Sequence, residues 1–267
     1  MTRPGHRVPD GCDTSAYPSF AVTVDIVILT MRGGHLHVLL VQRGGEPYAG
    51  MWALPGGFKR PDETLDEAAR RELREETGLV APKHLAQFGA YGDPGRDPRT
   101  NVVTVAYLAV TPDPGSLRAG TDAAAARFWP VVDAVRELSL AFDHHRILSD
   151  AVDRAAEQLE QTDLATAFVG DTFALSELQS VYEELWQAEI DPANFRRSLT
   201  SPPPSTAAPG AYVEPTGKRA KASPRGGRPP ELFRAGGAWR TQPPVRRPRT
   251  PQQRNDRDRR TGDDTPE

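Results

Sequence analysis

Glu72, Glu75 and Glu76 crowd three carboxyl groups into five residues. On a helix, at 100° per residue, they share an arc of roughly 100° on one face. Like charges that close cost a helix stability, so a counter-charge is expected. A hard divalent cation with oxygen ligands meets that need, and Mg²⁺ is usually held jointly by carboxylates and substrate phosphates. Arg71 is spaced to pair with Glu63 or with one of the three. A solvated, glutamate-rich helix face is the plainer alternative. Further along, the segment 91–99 (YGDPGRDPR) offers Arg96 and Arg99 as partners for a phosphate. It also reads as a plain Asp-Pro and Pro-Gly turn.

A helix must carry the glutamates. Thr64 and Glu67 have capping-box spacing at its start, and Gly78 sits where a glycine would end it. Ahead of it, residues 21–29 are dense enough in Val, Ile and Leu for a buried strand. Arg32-Gly33-Gly34 reads as a turn, and residues 35–42 (HLHVLLVQ) as the second strand of a hairpin. Residues 44–57 are Gly/Pro-rich around the apolar patch 51–54. Further strands are expected near 87–91, 102–110 and 127–131, and a helix over 143–159. Strands mixed with a few helices across 20–160 predict an α+β or α/β domain.

The 267 residues suffice for two ordinary domains, and the net charge of −3 hides a division. Residues 191–267 hold 16 Lys/Arg against 8 Asp/Glu, whereas the first 190 hold 17 against 28. An acidic body suits a metal and a basic third suits nucleic acid, although a basic tail without a partner has the same composition. A second helical pair begins at 176–187, whose Leu178, Val181, Tyr182, Leu185 and Trp186 make an apolar stripe. Asp191 as N-cap and Pro192 at the first turn start another helix over 192–199. It buries Phe195 and Leu199 and presents Asn194, Arg196 and Arg197. Two helices joined by so short a connection have helix-turn-helix form. After the insert 201–210 (SPPPSTAAPG), strands at 211–214 and 231–234 would make a hairpin with Lys218, Arg219 and Lys221 at its basic tip. Arginine can read guanine and asparagine adenine, while tip lysines and arginines suit phosphates. A helical dimerisation or lid module with solvated arginines is the alternative.

The expected division is a disordered stretch 1–18, a first domain 19–160, a second 161–236 and a disordered basic tail 237–267. The single cysteine, Cys12, excludes an internal disulfide framework and a cysteine-rich zinc module. No apolar run reaches membrane-spanning length, and the first residues lack the apolar stretch of a signal peptide. A cytoplasmic location without membrane contact is the expectation.

The stretch 57–79, GFKRPDETLDEAARRELREETGL, resembles without departure the Nudix box of the Nudix hydrolase family. That pattern is Gly, five residues, Glu, seven residues, then Arg-Glu-aliphatic-x-Glu-Glu-x-Gly-aliphatic. The resemblance implies an α/β/α sandwich that cleaves nucleoside diphosphates linked to another group, using Mg²⁺ or Mn²⁺. Glu72, Glu75 and Glu76 would hold metal with help from the Gly57 carbonyl. Arg71 and Glu63 would orient them, and Glu75 would take the proton of the attacking water. The loop 91–99, with Pro94 about fifteen residues past the box, resembles that of Nudix proteins handling ADP-ribose. Trp52, Phe58 and Tyr91 are candidates to stack on the base, and equally candidates for core.

The layout over residues 20–235 also resembles the Nudix-related transcriptional regulators of NAD biosynthesis. The stretches that carry this are 173–186 (FALSELQSVYEELW), 191–199 (DPANFRRSL) and 213–234 (VEPTGKR…GRPPELFR). It implies a C-terminal winged helix, ADP-ribose as ligand, a double-stranded DNA operator and, for two half-sites, a homodimer. The alternative is an ADP-ribose pyrophosphatase giving AMP and ribose 5-phosphate, its C-terminal domain serving assembly. Those regulators often carry a degraded box; here the box is intact.

Overall fold

Eight consecutive residues, Thr23 to Thr30, are buried on strand β1 (Ala21–Arg32). A strand buried on both faces needs apolar residues of both parities, which the run of Val, Ile and Leu supplies. The structure, a computed structural model, describes residues 18–79, 82–115, 123–201, 210–221, 228–238, 241 and 245–248. The expected disordered N-terminus up to residue 17, the insert at 202–209, the hairpin tip at 222–227 and the tail from 249 lie outside the described residues. The chain divides into two compact units, Met1–Ala155 and Ala156–Glu267.

In the first unit β1 is the axis of a mixed seven-stranded sheet. It pairs antiparallel with β2 (His35–Arg43) through the Gly33-Gly34 turn, where both glycines take the positive φ such a turn needs. It also pairs antiparallel with β4 (Gly56–Phe58). Its long parallel partner is β6 (Val102–Val110), which pairs in turn with β5 (His84–Tyr91). The far side of β2 takes β3 (Trp52–Ala53) and β7 (Ala123–Pro130). The strands β3 and β4 lie inside the Gly/Pro-rich segment, where periodicity is too short to read.

The box helix α1 (Leu65–Thr77) lies on one face. Its Ala68, Ala69 and Leu73 pack into one cluster with Val24, Ile26 and Ile28 of β1 and with Leu39, Tyr107 and Phe128. Each Val or Ile fully buried there contributes roughly 1.5–3 kcal/mol. On the opposite parity of β1, Asp25 faces His144, the first residue of α3 (His144–Gln158). Helices therefore cover both faces of the sheet, as an α/β/α sandwich requires. The short helix α2 (Val131–Arg136) follows β7.

In the second unit α4 (Leu164–Ala167) and β8 (Phe173–Ala174) precede α5 (Leu175–Trp186) and α6 (Pro192–Thr200). A small sheet of order β8-β10-β9 closes the fold, with β9 at Val213–Arg219 and β10 at Glu231–Ala235. Tyr182 stacks edge-on against Trp186 and Phe195, and its hydroxyl meets that of Tyr212 at 3.3 Å. Helices packed on a three-stranded antiparallel sheet make a winged helix. Strand β9 runs five residues further than expected, so Lys218 and Arg219 sit on the strand and only Lys221 lies beyond it. The start of the tail also differs from the expected disorder. Val245 is buried, and the backbone N–H of Arg247 donates to Glu160 at 2.8 Å. Among the described residues, no helix is long and apolar enough to cross a membrane.

The α1 start has the expected capping box: Thr64 Oγ1 accepts from Glu67 N at 3.2 Å, and Glu67 returns an oxygen to Thr64 N at 2.7 Å. Thr64→Ala should therefore lower stability by about 1 kcal/mol. Urea unfolding checks this, and an unchanged midpoint would show that tertiary packing alone sets the helix start.

Candidate functional site

The box carboxylates converge on one guanidinium. Arg71 donates to both oxygens of Glu63, at 2.9 and 2.6 Å, to Glu72 at 2.5 Å and to Glu75 at 3.2 Å. Its remaining donor reaches the Phe58 carbonyl at 3.0 Å. The arginine side chain is only 9% exposed, so these bonds form away from bulk water, where unpaired charge is costly. Both pairings anticipated for Arg71 occur together. The third glutamate is held differently: Glu76 accepts the Gly56 backbone N–H at 3.0 Å.

These environments push the carboxyl groups apart in acidity. The Arg71 hydrogen bonds hold Glu63 down at about 2. Burial raises Glu72, against the pull of Arg71. Burial pushes Glu76 up to about 7, opposed by the Gly56 N–H and reinforced by Glu72 and Asp25.

Among the described residues no cluster of three His, Cys, Asp or Glu side chains stands ready as a metal shell. Arg71 and Gly56 already take one oxygen from each of Glu72, Glu75 and Glu76. The donor set nonetheless fits a hard cation. It consists of carboxylate oxygens, with Glu72 lying on Gly57 and Glu76 on the Gly56 N–H of β4. A Cβ on Gly57 would collide with the Glu72 carboxylate, so glycine is what lets that group lie on the strand. A Cβ on Gly56 would meet the Val24 carbonyl.

Beside β4 opens a cleft of ≈ 590 Å³ out to its mouth, lined by Asp25, Phe58, Arg96, Arg99, Phe142 and His144 among others. Both arginines expected to meet phosphate line it, but each already has an acid. Arg96 binds Asp143 at 2.9 and 2.7 Å and Asp25 at 3.3 Å. Arg99 binds Asp97 at 3.0 and 2.7 Å and lies over the ring of Phe58 at 5.2 Å. Of the three aromatics considered for stacking, Phe58 lines the cleft. Trp52 packs edge-on against Trp129, and Tyr91 donates to Asp150 at 2.9 Å.

The residues that sequence reasoning missed are Asp25, Arg43, Phe142, Asp143 and His144. The Leu54 N–H donates to His144 Nδ1 at 2.9 Å, so the ring proton sits on Nε2, 3.6 Å from Asp25. Burial lowers the His144 pKa and keeps the ring neutral. The segment 142–144 thus ties Arg96 to Leu54, two residues before the strand that opens the box. Its only sequence signal was the start of a helix.

In the second unit, Asp191 caps α6 by accepting the Asn194 N–H at 2.8 Å. Asn194, Arg196 and Arg197 are all exposed on that helix, as are Lys218, Arg219 and Lys221 in the hairpin. Arg197 donates to the Asn194 side chain, and Arg196 to Glu231 of β10 at 3.2 Å. Arg219 reaches the Pro229 carbonyl across the hairpin at 2.9 Å. The turn between the helices is fixed by Glu183, which accepts the Ile190 N–H at 3.1 Å.

The opposite shifts of Glu63 and Glu76 give opposite pH dependences. Glu63 titrates below its ordinary value of 4.5, so its stabilisation is lost as pH falls from about 4.5 to about 2. Glu76 titrates above that value, so the folded state keeps a proton that the unfolded chain has released. Stability therefore falls as pH rises from about 4.5 to about 7. In urea unfolding with EDTA, Glu63→Gln should flatten the acid limb and Glu76→Gln the neutral one. Profiles parallel to wild type would refute these environments.

Two family models match the chain: the NUDIX domain over residues 19–151 and the NrtR DNA-binding winged helix domain over 165–235. The ADPR responsive transcriptional repressor NtrR of Acinetobacter baylyi is 35% identical over 187 residues, covering 69% of this chain and 74% of that protein. An ADP-ribose pyrophosphatase of Methanocaldococcus jannaschii is 42% identical over 113 residues, covering 42% of this chain and 64% of that protein. The crystal structure of Shewanella oneidensis NrtR complexed with a 27mer DNA matches with a TM-score of 0.66 and 31% identity. The match covers 80% of this chain and 93% of that one. With both domains present in that order, the chain belongs to the NrtR family, in which a NUDIX domain is joined to a DNA-binding winged helix domain.

Proposed function

We propose that this protein is a transcriptional repressor of NAD metabolism that binds ADP-ribose, or a close nucleoside diphosphate relative, in the NUDIX cleft. Its winged helix binds a double-stranded DNA operator, as a homodimer in the cytoplasm. The observation that carries this is the reach of the similarity to the Acinetobacter repressor. Its 187 residues exceed what the NUDIX segment 19–151 can hold. The similarity to the pyrophosphatase spans only 113 residues. Exposed Asn194, Arg196 and Arg197 supply the base-reading chemistry of a recognition helix, and Lys218, Arg219 and Lys221 the phosphate contacts.

The intact box favours a second activity in the same chain, hydrolysis of the ligand to AMP and ribose 5-phosphate. Glu72, Glu75 and Glu76, with the Gly57 carbonyl, would hold Mg²⁺ or Mn²⁺, which supplies charge neutralisation and a more acidic water. Arg71, itself held by Glu63, orients Glu72 and Glu75 through its shared Nη1. Glu75 suits the proton-accepting role: its side chain is 44% exposed, against 11% for Glu72. Arg96 and Arg99 place positive charge along the cleft wall for the diphosphate.

Fluorescence anisotropy with the gene's own upstream DNA and a scrambled control, at fixed salt, tests the main reading. Specific binding that ADP-ribose weakens is expected. Equal, salt-sensitive binding to both DNAs would overturn it. Arg196→Ala with Arg197→Ala should weaken operator binding about tenfold or more and spare hydrolysis. Glu75→Gln with Glu76→Gln should abolish AMP release while the fold persists; retained turnover would remove these residues from the reaction.

A further inference from the structure

Asn194 and Arg197 of α6 partner each other within the helix, but Arg196 reaches out of it. Its Nη2 donates to Glu231 Oε2 at 3.2 Å, at the start of β10. Its guanidinium also lies over the ring of Phe233 at 5.7 Å. Among the described residues, Arg196 is the candidate base-reading side chain that the hairpin holds. One of its neighbours is a buried ring and the other a carboxylate, so the planar group is bounded from two directions.

The hairpin is pinned at this point. Glu231 pairs across it with Arg219, and Phe233 with Pro215. Two steps along β10 therefore oppose four along β9, a bulge over residues 216–218. Gly217 takes φ 72 there, a value glycine adopts freely. Thr216 Oγ1 donates to the Leu232 carbonyl at 2.7 Å and accepts the Lys218 N–H at 3.2 Å. Leu232 stands between Glu231 and Phe233, so the two contacts of Arg196 flank a carbonyl held in place. Bulges of this kind re-aim side chains. An ion pair as exposed as Arg196–Glu231, at 57% and 36%, adds little to stability. What it supplies is direction.

We infer that Glu231 is a positioning residue of the DNA-reading surface: it holds the Arg196 fork toward a base edge and keeps it off the phosphates. The inference rests on the operator-binding reading above. On that reading a carboxylate in the hairpin repels the backbone of any DNA, right or wrong in sequence. Such a repulsive element serves specificity when it also orders an attractive one. The guanidinium has five donors, Glu231 engages one Nη2, and a guanine edge needs two. A fork already held in its bound direction loses less freedom on binding.

Fluorescence anisotropy on the full chain, with the upstream DNA and the scrambled control at fixed salt, reads the ratio of the two affinities. Glu231→Ala should lower that ratio about tenfold, by weakening operator binding. Glu231→Gln keeps an acceptor oxygen and should recover part of the loss. Both variants drop the charge, so equal ratios in the two would mean repulsion alone and overturn the positioning role. In an Arg196→Ala background, Glu231→Ala should change the ratio no further; an undiminished effect there also overturns it. Glu214→Gln breaks the ion pair with Arg234 in the same sheet and should leave the ratio unchanged. An equal fall in that variant would mean a loosened sheet and overturn the inference. If Glu231→Ala fails to fold, Glu231→Gln decides: a severalfold lower ratio supports the inference and an unchanged one overturns it. Wild type binding both DNAs equally overturns the operator reading and this inference with it. A discriminating wild type with indifferent Glu231 variants overturns this inference alone.

Discussion

Without Arg71, the carboxylates of Glu63, Glu72 and Glu75 would be left facing one another, those of Glu63 and Glu72 largely out of water. Breaking a buried ion pair by removing one partner costs a protein several kcal/mol, because the partner is left charged and dry. Here one guanidinium serves three acids and the Phe58 carbonyl, so its donors are occupied from both sides. That fixes α1 against β4. With α1 and β4 fixed, Gly57 lies under Glu72 and Gly56 offers its N–H to Glu76. The box is thus a folding constraint before it is a chemical one, and any cation that binds there meets carboxylates already oriented.

A second constraint enters from the opposite face of the sheet. Phe142, Asp143 and His144 are consecutive, and each holds a different part of the cleft. Phe142 carries Arg43 and Arg99, Asp143 clamps Arg96, and His144 takes the Leu54 N–H two residues before Gly56. Asp25, on the central strand, joins the last two by approaching both Arg96 and His144. The segment 142–144 and the box helix therefore grip the stretch 54–57 from two sides. A change at residue 144 reaches the strand that opens the box through the hydrogen bond to Leu54, although more than sixty residues separate them in sequence.

This explains what was legible in the sequence and what was not. The box could be read because its residues lie close together in sequence and repeat at helical spacing. The capping box of α1, the α5 stripe and the Asp191 cap were legible for the same reason. Arg43 and the segment 142–144 gave no such signal, since their partners come from distant strands and loops. Strands β3, β4 and β8 are two or three residues long, below any readable period. Lys218 and Arg219 were placed at a tip because the whole segment 216–230 is basic and glycine-rich and reads as one long tip. In the structure Gly217 stays within β9, at φ 72.

Sensing and cleavage make different demands on one cleft. A sensor needs its ligand to bind the free and the DNA-bound protein with different affinity; equal affinity shifts nothing. A hydrolase needs only that the transition state be held better than the ligand. On the proposed reading the two demands fall on different residues. Arg43, Arg96, Arg99 and Phe142 line the cleft from outside the box, while Glu72, Glu75 and Glu76 lie within it. Affinity for the ligand can therefore change without touching the box carboxylates. An intact box adds a limit in time. If the bound ligand is cleaved, occupancy depends on supply against turnover, and the regulator follows the rate at which its ligand is made as well as its concentration. A degraded box would follow concentration alone, on the same fold.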